Sequence, residues 1–114
     1  MVGTDAKVIN YINSEELECM LSVYNFTAEK YIEDNGSVTI SLDKIDLIEY
    51  GKNEDEALTN MAKGIIEYAE DYCNEFTIWF RGGRKAHIPY VFKALIINDV
   101  EKIKEFIICR PGEI

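Results

Sequence analysis

The chain has 114 residues, 47% of them apolar, with 21 acidic against 12 basic side chains and a formal charge of −9. That length and apolar fraction suit a single domain, residues 1–114, with a real core, and they exclude intrinsic disorder. No apolar run approaches the ~20 residues of a membrane span, and Met1 to Lys7 lacks the basic-then-apolar pattern of a signal peptide, so a cytoplasmic protein with no membrane contact is expected.

Residues 1–12 form an N-terminal arm in which Lys7 to Ile12 reads as a short strand or an irregular segment. Asn13 and Glu16 make a capping box that opens a short helix over 13–24, with Leu17, Met20, Leu21 and Tyr24 on one face. A three-stranded antiparallel meander is predicted over 26–50. Phe26, Ala28, Lys30 and Ile32 alternate with Tyr31 opposite, and Asn35-Gly36 then predicts a hairpin through a type I′ turn. Val38, Ile40 and Leu42 alternate with Ser37, Thr39 and Ser41 in the second strand. Asp43-Lys44 turns the chain into a third, where Ile45, Leu47 and Glu49 oppose Asp46, Ile48 and Tyr50.

The main helix is predicted over 53–76. Asn53 and Glu56 form its capping box, and Glu54, Asp55 and Glu56 place negative charge at the positive end of the helix dipole. Leu58, Met61, Ala62, Ile65, Ala69, Tyr72, Cys73 and Phe76 recur at steps of three and four, giving one apolar stripe to cover the meander. Gly64 costs this helix about 1 kcal/mol relative to alanine, which points to close approach of the sheet or another chain, or to an exposed neutral glycine. Over 77–110 a loop and two short helices are expected. Thr77 to Phe80 continues the helix or forms a short strand, and Arg81 to Lys85 is a loop. Pro89 suits the first turn of a helix over 88–97. Asn98 or Asp99 caps a last helix over 100–108, with Ile103, Phe106 and Ile107 inward, and Pro111-Gly112 ends ordered structure.

Candidate chemistry is sparse. His87 is the sole histidine and would have to serve as the base of any nucleophilic site, but its position before Pro89 reads as a helix cap or a surface residue. Cys19, Cys73 and Cys109 are scattered, and Cys19 and Cys73 lie on apolar faces as buried thiols. One histidine and three dispersed cysteines make no metal cage, there is no glycine-rich phosphate loop, and no catalytic residue, metal or cofactor is expected. Charge says more. Up to Glu75 there are 17 acidic and five basic residues, a net of −12, against four acidic and seven basic afterwards, a net of +3. An acidic body steers toward a basic partner, with salt-sensitive on-rates. Asp46, Glu49, Glu67, Glu70 and Asp71 are the candidate partner-binding face. Arg81, Arg84 and Lys85, with Trp79, Phe80 and Tyr90 nearby, are the candidate nucleic-acid contact, since cations and aromatics together hold phosphates and stack on bases.

The junction Gly51-x-Asn53-x-x-Glu56-Ala57-x-x-Asn60, directly after a meander, resembles the strand-to-helix junction of HicB-type antitoxins. The span from Tyr24 through Cys109 resembles small RelB-like antitoxins, through Asp34 to Leu42, Glu67 to Tyr72 and Arg84 to Val91. The resemblance implies a HicB-like α+β fold, in which one long helix covers the three-stranded meander. It also implies an antitoxin that neutralises a cognate protein toxin, often a small basic ribonuclease, and that takes part in repressing its operon. The residues after Phe76 show no ribbon-helix-helix or helix-turn-helix pattern for operator DNA. Self-association as a homodimer or higher oligomer would use the long helix or an open sheet edge. The alternatives are a nucleic-acid-binding protein using Arg81 to Lys85, and a small-ligand domain with a site under the C-terminal helices.

Overall fold

The computed structural model describes residues 22–76 and 82–112, together with Glu15 and Cys19. The arm over 1–12 lies outside the described residues. Of the helix predicted over 13–24, Glu15, Cys19, Ser22 and Val23 are described and are helical.

Strands β1 (Phe26–Ile32), β2 (Val38–Leu42) and β3 (Leu47–Gly51) run antiparallel as a meander. Phe26, Ala28, Val38, Ile40 and Leu42 point to one face and are buried, as the period of two requires. The hairpin between β1 and β2 uses a different turn from the one predicted. Gly36 alone has positive φ (87°), while Gly36 N–H donates to the Glu33 carbonyl and Glu33 N–H to the Ser37 carbonyl. This is a three-residue loop closed by a left-handed glycine, and the Asn35 side chain accepts from Ser37 N–H at 3.0 Å. Asp43–Ile45 forms a 3₁₀ turn that buries Ile45 and leaves Asp46 left-handed, at φ 56°.

Helix α1 (Glu54–Asn74) lies across the inner face of the sheet. The Asn53 side chain accepts from Glu56 N–H at 2.9 Å, as its position predicts. The buried stripe is Ala57, Met61, Ala62, Ile65, Tyr68, Ala69 and Tyr72. Cys73 and Phe76, assigned to it from spacing, are exposed, and so is Cys19. The stripe is rotated toward Tyr68, whose ring packs on Tyr72 and His87.

Helix α2 (Ile88–Ile97) and helix α3 (Val100–Phe106) follow, and both pack on α1. Asp99 caps α3 by accepting from Lys102 N–H. Here the structure corrects the sequence reading. The last helix stops at Phe106, and Ile107–Pro111 is a strand, β4. It pairs parallel to β1, with Phe26 opposite Ile107 and Lys30 opposite Pro111, giving a mixed four-stranded sheet in the order β3-β2-β1-β4. Pro111 thus lies within the sheet, at an edge where its missing N–H costs no ladder bond. Gly112 N–H extends the pairing to the Lys30 carbonyl. Ile103 and Ile107 are buried as expected, whereas Phe106 is exposed. Lys30 pairs with Glu54 at 3.1 Å and Lys104 with Asp55 at 2.8 Å, tying the start of α1 to β1 and α3. Among the described residues no helix is long and apolar enough to cross a membrane.

Candidate partner-binding surface

The β3-to-α1 junction sets the geometry of the acidic residues. Gly51 has no room for a side chain, because a Cβ there would lie 2.2 Å from the Ala57 backbone nitrogen. The helix therefore starts hard against the strand and runs back along it. Asn60, one turn further, donates from its amide to the Tyr50 carbonyl at 2.7 Å. Gly64, the next turn, lies against Glu49, whose Oε1 would be 3.0 Å from a Cβ at that position. The mid-helix glycine thus marks close approach to the sheet.

Asn60, Gly64, Glu67 and Asp71 fall at steps of four, three and four, which places them on one flank of α1. The first two abut β3, so Glu67 and Asp71 continue along the β3 side of the helix. Asp46 stands in the turn just before the same strand, with Oδ2 3.8 Å from His87 Nε2. Four of the five predicted carboxylates, Asp46, Glu49, Glu67 and Asp71, therefore share one margin of the molecule. Glu70 faces outward on the same helix. Among the described residues no cation pairs with Glu49, Glu67, Glu70 or Asp71.

The basic loop is arranged differently. Arg81, Trp79 and Phe80 lie outside the described residues. Arg84 is half-buried and folds back on α1, its Nη1 donating to the Tyr68 hydroxyl at 3.3 Å while its carbonyl accepts from the Tyr72 hydroxyl at 2.7 Å. The hydrogen bond to Tyr68 raises its pKa. Lys85 is exposed, and Tyr90 packs edge-on against Tyr24. Arg84 and Tyr90 are thus each engaged with other side chains, Arg84 with Tyr68 and Tyr90 with Tyr24.

His87 corrects the sequence reading as well. It stands at the N-cap of α2, but its side chain makes no capping bond and is buried. The Tyr68 hydroxyl lies 2.5 Å from His87 Nδ1, so a chain of polar contacts runs from Arg84 through Tyr68 and His87 to Asp46. Burial lowers the His87 pKa below 6.5 and Arg84 adds to this, against the opposing pull of Asp46. A neutral ring protonated at Nε2 accepts the Tyr68 proton at Nδ1, which an imidazolium could not do. Between the folded value and 6.5 the unfolded chain binds more protons, so this contribution is complete above pH 6.5 and is lost as pH falls through the folded value. Melting midpoints at about pH 7.5 and about pH 5 should show wild type losing more than His87→Gln on acidification.

Among the described residues no three His, Cys, Asp or Glu side chains converge as metal ligands would. An open hollow of about 520 Å³ lies on the sheet face away from α1, lined by Thr27, Glu29, Asp43, Lys44 and Arg110.

A family model described as PHD-like, the antitoxin of RelE/RelB toxin–antitoxin systems, matches residues 3–109. A crystal structure from Syntrophomonas wolfei subsp. wolfei, described as an antitoxin part of a proposed toxin/antitoxin system, superposes with a TM-score of 0.78. It shares 28% sequence identity, and the match covers 88% of this chain and 72% of that one. No curated protein matches.

Proposed function

The chain belongs to the PHD-like antitoxin family of RelE/RelB systems, and from that membership we propose that it neutralises a cognate, basic, RNase-type toxin by binding it directly, without catalysis. The observation that carries this reading is the acidic margin. Asp46, Glu49, Glu67 and Asp71 come together along β3 and α1, with Glu70 alongside, and the last four have no described cation to neutralise them. A ribonuclease holds its phosphate-bearing substrate with cations, so a carboxylate surface that occupies those cations both binds the enzyme and displaces RNA.

The test is co-expression with the product of the adjoining reading frame, scored by growth rescue and by co-purification. The complex should survive at ~0.1 M salt and be lost by ~1 M, as the screening length falls from about 10 Å to about 3 Å. Capture that is indifferent to salt would remove the electrostatic basis of this reading. Operator binding through Arg84 and Lys85 gains no support from the geometry, because Arg84 is engaged with Tyr68.

A further inference from the structure

Strand β3 ends the sheet on one side, and among the described residues its only strand partner is β2. The hairpin fixes which of its backbone groups stay unpaired. Glu33 N–H donates to the Ser37 carbonyl, and antiparallel ladders alternate. Ser37, Thr39 and Ser41 therefore aim their backbone groups at β1, while Val38, Ile40 and Leu42 aim theirs at β3. The partners of those three are Gly51, Glu49 and Leu47. Ile48 and Tyr50 consequently point their backbone groups outward. The Tyr50 carbonyl already accepts from Asn60, which leaves Ile48 N–H, Ile48 C=O and Tyr50 N–H as a short open edge. The side chains beside it are sorted by face. Ile48 and Tyr50 project from the outer face of the sheet and are 56% and 65% exposed. The unpaired carboxylates of Glu49, Glu67 and Asp71 lie on the helix side.

We propose that the edge of β3 accepts an extended cationic segment of a partner protein as a fifth strand. Successive side chains of such a segment point to opposite faces. Lysines or arginines at alternate positions meet the carboxylates on the α1 side, and apolar residues between them cover Ile48 and Tyr50. The main-chain bonds supply attachment and the alternation supplies selectivity. Identifying the donor of the segment as the toxin rests on the antitoxin reading above. A second copy of this chain is the competing occupant of any open edge. Pairing β3 with its own copy would bring two sets of Asp46, Glu49, Glu67 and Asp71 together, and like charges across an interface oppose association.

The test uses the full chain and acetyl-Lys-Val-Lys-Val-Lys-Val-Lys-amide as the probe, followed by amide NMR. Two further peptides carry N-methyl groups on every valine or on every lysine. Strand pairing points only alternate N–H groups at β3, so the parent peptide should shift the Ile48 and Tyr50 amides. One methylated form should keep its affinity while the other loses about tenfold or more, the worth of two or three backbone bonds. The form that fails also reports whether the added strand runs antiparallel or parallel. Glu67→Lys with Asp71→Lys, both exposed positions, should weaken the parent peptide by a similar factor while the spectrum keeps its folded dispersion. An equal response to the two methylations, no shift at Ile48 and Tyr50, or a dimer that protects those amides without peptide would each overturn the proposal. The antitoxin reading fails separately. If the adjoining gene product is captured but the Ile48 and Tyr50 amides exchange as fast in the complex as in the free chain, the edge proposal falls and the antitoxin stands. If the peptide pairs with β3 and no toxin is captured, the reverse holds.

Discussion

Gly51→Ala should lower the thermal midpoint by about 10 °C or more. A Cβ at this position would lie 2.2 Å from the Ala57 nitrogen and 2.8 Å from both Ala57 Cα and the Glu56 carbonyl carbon, where ordinary contacts begin at 3.4 Å. The opposing atoms are all backbone in the first turn of α1, so no side chain can swing aside and the helix start must move by about 1 Å. Three contacts move with it. They are the Asn53 cap on Glu56 N–H, the Ala57 N–H bond to the Asn53 carbonyl, and the Asn60 bond to the Tyr50 carbonyl. Overpacking of this kind costs about 1 to 3 kcal/mol, and a lost cap adds about 1. At this chain length each kcal/mol is worth roughly 4 °C. Two other glycines serve as controls. A Cβ at Gly112 would also come within 2.2 Å of a neighbour, but that neighbour is the ring of Tyr31, which can rotate. A Cβ at Gly64 would meet only the end of the Glu49 side chain, and alanine regains about 1 kcal/mol of helix propensity there. Differential scanning calorimetry should rank Gly51→Ala far below Gly112→Ala, with Gly64→Ala at or above wild type. Equal midpoints for the three would refute the junction.

The same junction shows what a sequence can disclose. The run from Gly51 to Asn60 carries its structure locally: a glycine where strand and helix nearly touch, a cap three residues before Glu56, and an amide one turn on that reaches back. Each is a short-range interaction; the cap is located by spacing alone, while the contacts of Gly51 and Asn60 are seen only in the structure. Strand β4 has no such local sign. Ile103 and Ile107 are four apart and continue a helical pattern, and Pro111 argues against a strand. What makes Ile107–Pro111 a strand is the parallel edge of β1, some eighty residues earlier in the chain. The wrong assignment of two residues to the α1 stripe, Cys73 and Phe76, has a related cause. Cys73 and Phe76 keep the helical period, but Tyr68, off the predicted stripe, faces a histidine that comes 19 residues later. The acidic margin lies between these cases. Its residue types were legible, yet the convergence of Asp46 and Glu49 with Glu67 and Asp71 depends on α1 running back along β3. Conversely, the composition of the Arg81 to Lys85 loop pointed outward, while the structure turns Arg84 inward to Tyr68.

Lys93 is the second place where one residue should have a large effect, and there the sign depends on the replacement. It is the only charged residue of α2, and it is the one turned fully inward, at 0% exposure, while Phe92 and Ile96 face outward. Its Nζ donates to the Tyr24 carbonyl at 3.0 Å and sits 5.4 Å from the ring of Phe26 and 4.7 Å from that of Phe106. The ammonium therefore gives up water for one hydrogen bond and two ring faces, and burial lowers its pKa. Lys93→Met keeps the length of the stem and removes the charge, and should leave stability unchanged or raise it by about 1 kcal/mol, as apolar replacement of buried charge commonly does. Lys93→Ala loses the bond to the Tyr24 carbonyl as Met does, but it also removes the stem and opens a cavity, for a loss of about 2 to 4 kcal/mol. Lys93→Glu sets a carboxylate against a carbonyl and the negative faces of two rings, and should cost more than about 4 kcal/mol. The pH dependence follows from the direction of the shift. Between the folded value and the ordinary 10.5 the unfolded chain holds more protons on this lysine, so its penalty is full below the folded value and fades as pH rises toward 10.5. Urea unfolding should therefore find the gain of Lys93→Met over wild type largest near neutrality and vanishing on the alkaline side. A gain that did not change with pH would mean that the charge of Lys93 is not what Met relieves.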